Sequence, residues 1–410
     1  MTSDRKTVAV FFGGTSFEHD VSVLTGLQTL ESIDSNKFDT LPVYISPEGV
    51  WYTGSALLDR RNYLLSSETK SKLYQVNPVT SLIAWNKKED TNKLVLEGTQ
   101  KGSFLGKKKA IFEVDMVIPA LHGGTGENGS IQGLLEVANV PYTGCRVLGS
   151  SVCMDKDFSK RVFAALGIPT VPGVEISRPE TGVFSDTKEL ARLMKAVEGP
   201  WCVKPCNLGS SVGVYKAETL EDLQSSLASV FKLDDSAVVE KFIPNLVEYN
   251  VAVTQAFGKV LTSAIERPIR EKGLLSFTDK YLAAGGLETK LSGPVDNSVM
   301  SKSRVFHPPE LKKAQEKSIR EWAEKAFIGF GGCGAVRMDF LCDEKSGEIW
   351  INEVNTYPGS LAYYLWEARE EPIIFTDLLS ALIEEGFRIH KKQQRTIEPQ
   401  AGGAAIFKRG

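Results

Sequence analysis

The chain has 410 residues, 42% hydrophobic and 24% charged, a balance that suits two or three domains with substantial cores and excludes a disordered or fibrous protein. Its net charge of -3, with acidic and basic residues interspersed, excludes the concentrated basic surface that nucleic-acid binding needs; Lys107-Lys108-Lys109 and His390-Lys391-Lys392 are too short to supply one. No apolar stretch approaches the roughly 20 residues that span a bilayer, and no apolar segment follows the first charges, so a cytoplasmic protein without membrane partners is expected.

In chain order, residues 7–12 form a short continuous apolar run ending in Gly13-Gly14, which predicts a strand buried on both faces of a parallel sheet. A helix over about 20–30 and strands at 41–46 and 115–121 follow, the last ending in His122-Gly123-Gly124 before a helix-like 129–139. This alternation predicts an open α/β sheet over residues 1–150, with both glycine turns at one crevice beyond the strand ends. Residues 51–110 have mixed polarity and weak periodicity and read as an insertion carrying little chemistry. Residues 151–248 predict a small α+β unit of antiparallel character: helices at 155–166 and 220–231 and strands at 200–204, 212–217 and 237–241. A third unit, 249–392, holds an amphipathic helix over 309–327 and a hairpin, and 393–410 read as a loosely held tail.

The hairpin carries the most chemistry. Its two β-type runs flank Asp343-Glu344-Lys345-Ser346-Gly347, and a fold about Ser346 pairs positions whose numbers add to 692. Asp339 then lies opposite Glu353, with Arg337 and Asn355 on the same face, while Met338, Phe340, Val354 and Trp350 point the other way. Opposed carboxylates repel unless a cation lies between them, and Asp, Glu and Asn oxygens suit hard Mg²⁺, which bridges substrate phosphates. The plain alternative is a solvated hairpin face, and a one-residue bulge would break the register.

Other motifs each have a bland alternative. Lys204-Pro205-Cys206-Asn207-Leu208-Gly209-Ser210-Ser211 offers amides, hydroxyls and a charge to a phosphate, or is a plain Gly/Ser turn. The strand ending Glu240-Lys241-Phe242-Ile243, with Glu248 beyond, suits an adenine and ribose in a crevice between units, or is an ordinary strand. The turn after His122 presents amides and a helix start to an anion. The turn Gly13-Gly14-Thr15-Ser16-Phe17-Glu18-His19-Asp20-Val21-Ser22 ends acidic, and a carboxylate in that crevice suits a substrate ammonium, against a reading in which Asp20 or Ser22 simply caps the helix. Lys156 opens a helix, where the dipole disfavours it, and is a candidate ligand contact. Six cysteines without paired spacing read as small buried hydrophobes in a reducing compartment, and four histidines with no i, i+4 pair argue against zinc.

Taken together these residues resemble the D-alanine:D-alanine ligases of the ATP-grasp superfamily. The anchors are Gly13-Gly14-x-Ser16-x-Glu18-His19, Leu121-His122-Gly123 with Gly126-Glu127-x-Gly129, Pro141-Tyr142-Thr143-Gly144, Met154-Asp155-Lys156, Lys204-Pro205 with Gly209-Ser210-Ser211, Arg337-x-Asp339-Phe340, and Asn352-Glu353-x-Asn355-Thr356-x-Pro358-Gly359. The resemblance implies a three-domain ATP-grasp fold and a ligase that joins D-alanine to a second amino acid through an acyl phosphate, for peptidoglycan synthesis. It also implies ATP as substrate, two Mg²⁺ ions for which Mn²⁺ substitutes, and a homodimer, since members are commonly dimers.

The implied roles run residue by residue. Lys156, Lys204, Gly209, Ser210 and Ser211 hold ATP phosphates. Glu240, Lys241, Ile243 and Glu248 meet adenine and ribose, and Asp339, Glu353 and Asn355 bind the metal. Glu18 secures the first substrate's ammonium and forms a hydrogen-bonded set with Ser210 and Tyr281, while His122 lies near that substrate's carboxylate. Arg337 and the backbone of Gly359 stabilise the oxyanion. The chain departs from the family after Gly359, where Ser360-Leu361-Ala362-Tyr363-Tyr364 puts Tyr364 at the register of a serine that binds the second substrate. It departs again before Lys280-Tyr281, where Ser276-Phe277-Thr278-Asp279 replaces Tyr-Asp-Tyr. Ser360 and Tyr364 are therefore the candidate second-substrate residues, and an acceptor other than D-alanine stays open. A non-catalytic nucleotide-binding regulator is the remaining alternative from another class.

Overall fold

The computed structural model describes residues 5–63, 66–77, 93–101, 106–180, 184, 187–269 and 304–393. Three sheets organise them. The first has seven strands in the order β6-β5-β4-β3-β2-β1-β7: β1 (Lys6–Gly13), β2 (Phe38–Ile45), β3 (Trp51–Thr53), β4 (Tyr74–Val76), β5 (Leu94–Lys101), β6 (Lys107–Val114) and β7 (Met116–Pro119). Helix α1 (His19–Ser32) packs on β1, and a short helix, α2 (Ser67–Lys72), lies between β3 and β4.

The expected open parallel sheet needs correction: β1 runs parallel to β2 and β7, but β3 to β6 join antiparallel. The supposed insertion is thus the far half of the sheet. The β2–β3 and β5–β6 links, residues 46–50 and 102–106, are too short for a parallel crossover, and at the β6 edge exposed Lys108 and Lys109 dilute the apolar alternation.

Helices α3 (Ser130–Val137), α4 (Val147–Met154) and α5 (Lys156–Ala165) lead to the second sheet. Its order is β10 (Tyr215–Ala217), β9 (Trp201–Pro205), β11 (Ser236–Lys241), β8 (Gly173–Ser177), all antiparallel, and it packs with α6 (Thr187–Leu193) and α7 (Leu220–Val230). The strand expected at 212–217 begins only at Tyr215, because Ser210 and Ser211 take left-handed backbone with φ of 52° and 59° and the chain turns there first.

The third sheet runs β14 (Arg304–Phe306), β13 (Leu261–Pro268), β12 (Leu246–Thr254), β15 (Ala335–Asp343), β16 (Ile349–Asn355), backed by α8 (Lys313–Gly329). The short helix α9 (Tyr363–Glu367) and the long α10 (Phe375–Gln393) follow, and α10 returns to pack on β7 and α1. Val8 and Phe12 of the first sheet consequently share one core with Leu361, Trp366 and Leu378. At this joint Gly144, with φ of 90°, lies under Tyr357; a Cβ there would stand 2.3 Å from the ring, so the close approach requires glycine. Among the described residues no helix is long and apolar enough to cross a membrane, and the six cysteines are free, five of them buried.

Candidate active site

The hairpin pairs Arg337 with Asn355, Met338 with Val354 and Asp339 with Glu353, as the parity argument requires. Beyond Asp339 the register slips by one residue, and Phe340 faces Ile351 rather than Asn352. The bulge puts Asn352 and Glu353 together on the site face, since the buried positions become Ile349, Ile351 and Val354. It also corrects Trp350, which pairs with Leu341 and so shares the face of Asp339 instead of joining Met338 in the core.

Asp339 receives both arms of Arg337, Nε to Oδ1 at 2.7 Å and Nη2 to Oδ2 at 2.8 Å, so a guanidinium offsets the repulsion between the opposed carboxylates. Asn355 Oδ1 accepts from the amide of Tyr357 at 3.2 Å. Among the described residues no group of three or more His, Cys, Asp or Glu side chains is placed to cage a metal. Two carboxylates and one amide oxygen instead fit a hard cation that shares its sphere with phosphates.

Beside the hairpin, alternation along β9 sends Trp201 and Val203 into the core and Cys202 and Lys204 into the crevice. Glu240 lies opposite Cys202, diagonal to Lys204, and its buried carboxylate is ion-paired to both Lys204 and Lys160. Burial alone would raise the Glu240 carboxyl; the two ammonium groups override it and hold it at about 2. For Lys204 burial pulls the ammonium down, but Glu240 prevails and carries it well above its ordinary value. Lys204 Nζ also donates to Asn352 Oδ1 at 3.1 Å. The Glu240 side chain is therefore committed to lysines. Lys160 was missed by sequence reasoning; standing four residues after Lys156, it shares one helix face with it, which was the available signal.

Lys156 is the first residue of α5, with Asp155 capping the amides of Asp157 and Phe158 at 2.9 Å each. Its ammonium donates to the carbonyl of Leu208 and lies 3.7 Å from Glu353 Oε2. One crevice is lined by Lys156, Lys204, Gly209, Ser210, Ser211 and the metal candidates Asp339 and Glu353, and continues to Lys241, Ile243 and Glu248.

Glu18 occupies the N-cap position of α1, yet its side chain caps nothing there. The Ser210 hydroxyl, from the second sheet's turn, donates to it instead. Ser22, the alternative cap, accepts from Gly13 N at 2.8 Å and donates to Ala120 O at 2.7 Å, which removes it from the helix terminus. Burial, the nearby Glu127 carboxylate and, more weakly, Glu353 push Glu18 up to about 7 against His122 and Lys156. Gly123 has φ of 68°, and a Cβ there would stand 2.5 Å from Glu18 Oε2, so glycine makes room for the carboxylate.

His122 is buried, with Nε2 2.8 Å from Thr25 Oγ1, which in turn accepts from the amide of Ser360 at 3.0 Å. The Ser360 hydroxyl donates to Gln28. Thr25 and Gln28 were also missed; with Glu18 and Ser22 they form a polar stripe at three- and four-residue spacing, readable as one side of a helix. Ser360, Leu361 and Ala362 take left-handed backbone in succession, with φ of 50°, 52° and 50°, directly after Gly359. Tyr364 then donates to Glu266 at 3.3 Å. Tyr281 lies outside the described residues.

With this geometry in place, the comparisons identify the family. The model for the D-ala D-ala ligase C-terminus matches residues 162–384, and that for the D-ala D-ala ligase N-terminus matches 7–145. The chain belongs to the D-alanine–D-alanine ligase family. It is 32% identical to the D-alanine–D-alanine ligase of Heliobacterium modesticaldum over 95% of this chain and 97% of that one. The D-alanine–D-alanine ligase of Acetivibrio thermocellus is also 32% identical, over 93% of this chain and 96% of its own. Among solved structures, the D-alanine–D-alanine ligase of Coxiella burnetii superposes with a TM-score of 0.71 at 25% identity, covering 96% of this chain and 97% of its own. The VanG D-Ala:D-Ser ligase of Enterococcus faecalis gives 0.70 at 26% identity, over 93% and 100%. Like its relatives, this ligase is an ATP-dependent enzyme that forms a C–N bond.

Proposed function

We propose that this family member joins D-alanine to a second amino acid, D-alanine itself, in the cytoplasm, supplying the dipeptide for peptidoglycan. The observation that carries the reading is that the lysine pair and the opposed Asp339 and Glu353 line one crevice, to which Glu18 is joined through the Ser210 hydroxyl.

ATP lies between the second and third sheets, its base toward Lys241, Ile243 and Glu248 and its phosphates toward Lys156, Lys204 and the amides of Gly209, Ser210 and Ser211. Asp339, Glu353 and Asn355 would hold Mg²⁺, which when bound neutralises the phosphate charge. Glu18 pairs with the first D-alanine's ammonium, and Ser210, donating to Glu18, ties that substrate to the turn over the phosphates. His122, fixed by Thr25, stands near the substrate's carboxylate. That carboxylate attacks the γ-phosphorus, the bond to the β-phosphate oxygen breaks, and ADP leaves an acyl phosphate. Positioning and charge supply most of this step.

The second substrate's neutral amine then attacks the acyl carbon. Arg337, moved from Asp339, and the Gly359 amide hold the oxyanion. The amide forms as the bond from the acyl carbon to the phosphate oxygen breaks, and the amine's proton leaves with inorganic phosphate.

Incubation with ATP, Mg²⁺ and D-alanine should release phosphate and yield a product with the mass of D-alanyl-D-alanine; no dipeptide would sink the reading. A second reading, ligation to a different amine, is favoured by the engagement of Tyr364 with Glu266 at the acceptor side. A screen of amino-acid acceptors that finds one preferred to D-alanine would select it.

A further inference from the structure

The third sheet's rungs align Phe306, Glu266, Asn250, Asp339 and Glu353 in one row, with Arg304 two residues from Phe306 on the same face. The row has two ends. The Asp339–Glu353 end lines the ATP crevice, and the β14 end lies three strand spacings, about 14 Å, away from β15.

At that far end Glu266, only 2% exposed, collects three donors: Arg304 Nη1 at 2.9 Å, Asn250 Nδ2 at 3.1 Å and the Tyr364 hydroxyl at 3.3 Å. The Arg304 guanidinium sits over the Tyr364 ring, 3.9 Å from its centroid. Asn250 pairs with Asp339 across β12 and β15, and Asp339 holds Arg337, so the cluster adjoins the Arg337 side of the site. Among the described residues the buried Asn250 Oδ1 accepts no hydrogen bond. An orphaned buried acceptor is costly, and a buried Arg–Glu pair seldom improves on apolar packing. Stability therefore explains neither feature well.

An acceptor amino acid brings one carboxylate and one amine, separated by a single carbon. We propose that Arg304, clamped by Glu266 and stacked on Tyr364, binds the acceptor's carboxylate, and that Asn250 Oδ1 accepts a hydrogen bond from its amine as the lone pair turns to the acyl carbon. Glu266 and Tyr364 are positioning residues in this arrangement. The inference rests on the ligase reading above and assigns its second subsite to β12–β14.

The test is a competition in one vessel: D-alanine as donor, with D-alanine and D-alaninamide as rival acceptors, and the ratio of dipeptide to dipeptide amide read by mass. The amide keeps the amine and loses the carboxylate. Relative to the wild type, Arg304→Gln should lower the acid-to-amide ratio at least ~10-fold, the worth of a charge-assisted hydrogen bond. Arg304→Lys, which keeps the charge and guards against a misfolded Gln variant, should retain most of the ratio. Asn250→Ser should raise the acceptor KM for both amines and leave the ratio unchanged. Intrinsic amine reactivity cancels because each comparison is made against the wild type. A ratio that stays at the wild-type value in Arg304→Gln while turnover drops would overturn the assignment and leave a structural ion pair. Should the wild type make neither product, the ligase reading itself fails, an outcome distinct from an unchanged ratio.

Discussion

Two carboxylates near the Gly209–Ser211 turn, one buried and one half-buried, behave in opposite ways. Glu240, on the nucleotide side, is locked between Lys160 and Lys204 and held at about 2. Glu18, half-buried, rises to about 7 through desolvation and the like charges of Glu127 and Glu353. The first is ionised at neutral pH because its cations are built into the fold. The second sits in a place shaped for a cation that the fold does not fully supply, which is what a binding site for an amino acid's ammonium requires. The ammonium groups of Lys160 and Lys204 are likewise held in position by Glu240.

The strongest way to break this comparison is at the end of the row that touches both sides. Glu353→Gln should reduce ADP formation by on the order of 10³-fold, since it removes one of two opposed carboxylates from the metal face, while circular dichroism shows an intact fold; near-normal turnover would take Glu353 out of the metal set. Glu240→Gln should destabilise the protein by about 3–5 kcal/mol, because it leaves two buried ammonium groups uncompensated, and a urea midpoint unchanged from wild type would refute a built-in charge.

The same pair predicts two pH dependences of opposite sign. Glu240, held at about 2 against an ordinary 4.5, contributes stability that is present above pH 4.5 and lost as pH falls toward 2. Glu18, raised from 4.5 to about 7, binds its proton more tightly in the folded state, so its contribution is present below pH 4.5 and lost as pH rises to about 7. Glu18→Gln should flatten the stability profile between pH 4.5 and 7 in chemical denaturation; an unchanged slope would show that Glu18 titrates normally. The smallest effect concerns the acceptor side's backbone. Ala362→Gly removes a left-handed alanine at about 1–2 kcal/mol of strain and one buried methyl worth about 0.8 kcal/mol. A slight rise in melting temperature is expected, and a clear fall would mean that the turn is unstrained.

Much of the site was legible because strand parity and local motifs are properties of neighbouring residues. Asp339 opposite Glu353 followed from counting about a turn, and Lys204 was singled out as the charge at the head of the Gly209-Ser210-Ser211 turn. Trp350 was misplaced because nothing in its immediate sequence announces a bulge at Asn352; that extra residue is tolerated because it lets Asn352 reach Lys204. Residues 51–110 were misjudged because a strand exposed near a sheet edge lacks the apolar alternation that marks a buried one.

The sequence by itself determined which residue types meet at the phosphates and the metal face, since short-range periodicity dictates sidedness. It also determined the family, through motifs whose order leaves little room for chance. Only the tertiary structure decided that the Glu240 side chain belongs to Lys160 and Lys204, that Glu18 forgoes its helix cap for Ser210, and that Arg304, Glu266 and Tyr364 form one cluster. Each of these contacts joins side chains far apart in the chain, and their partners are chosen by how sheets and helices pack and by the cost of leaving a buried charge alone, neither of which a local pattern encodes.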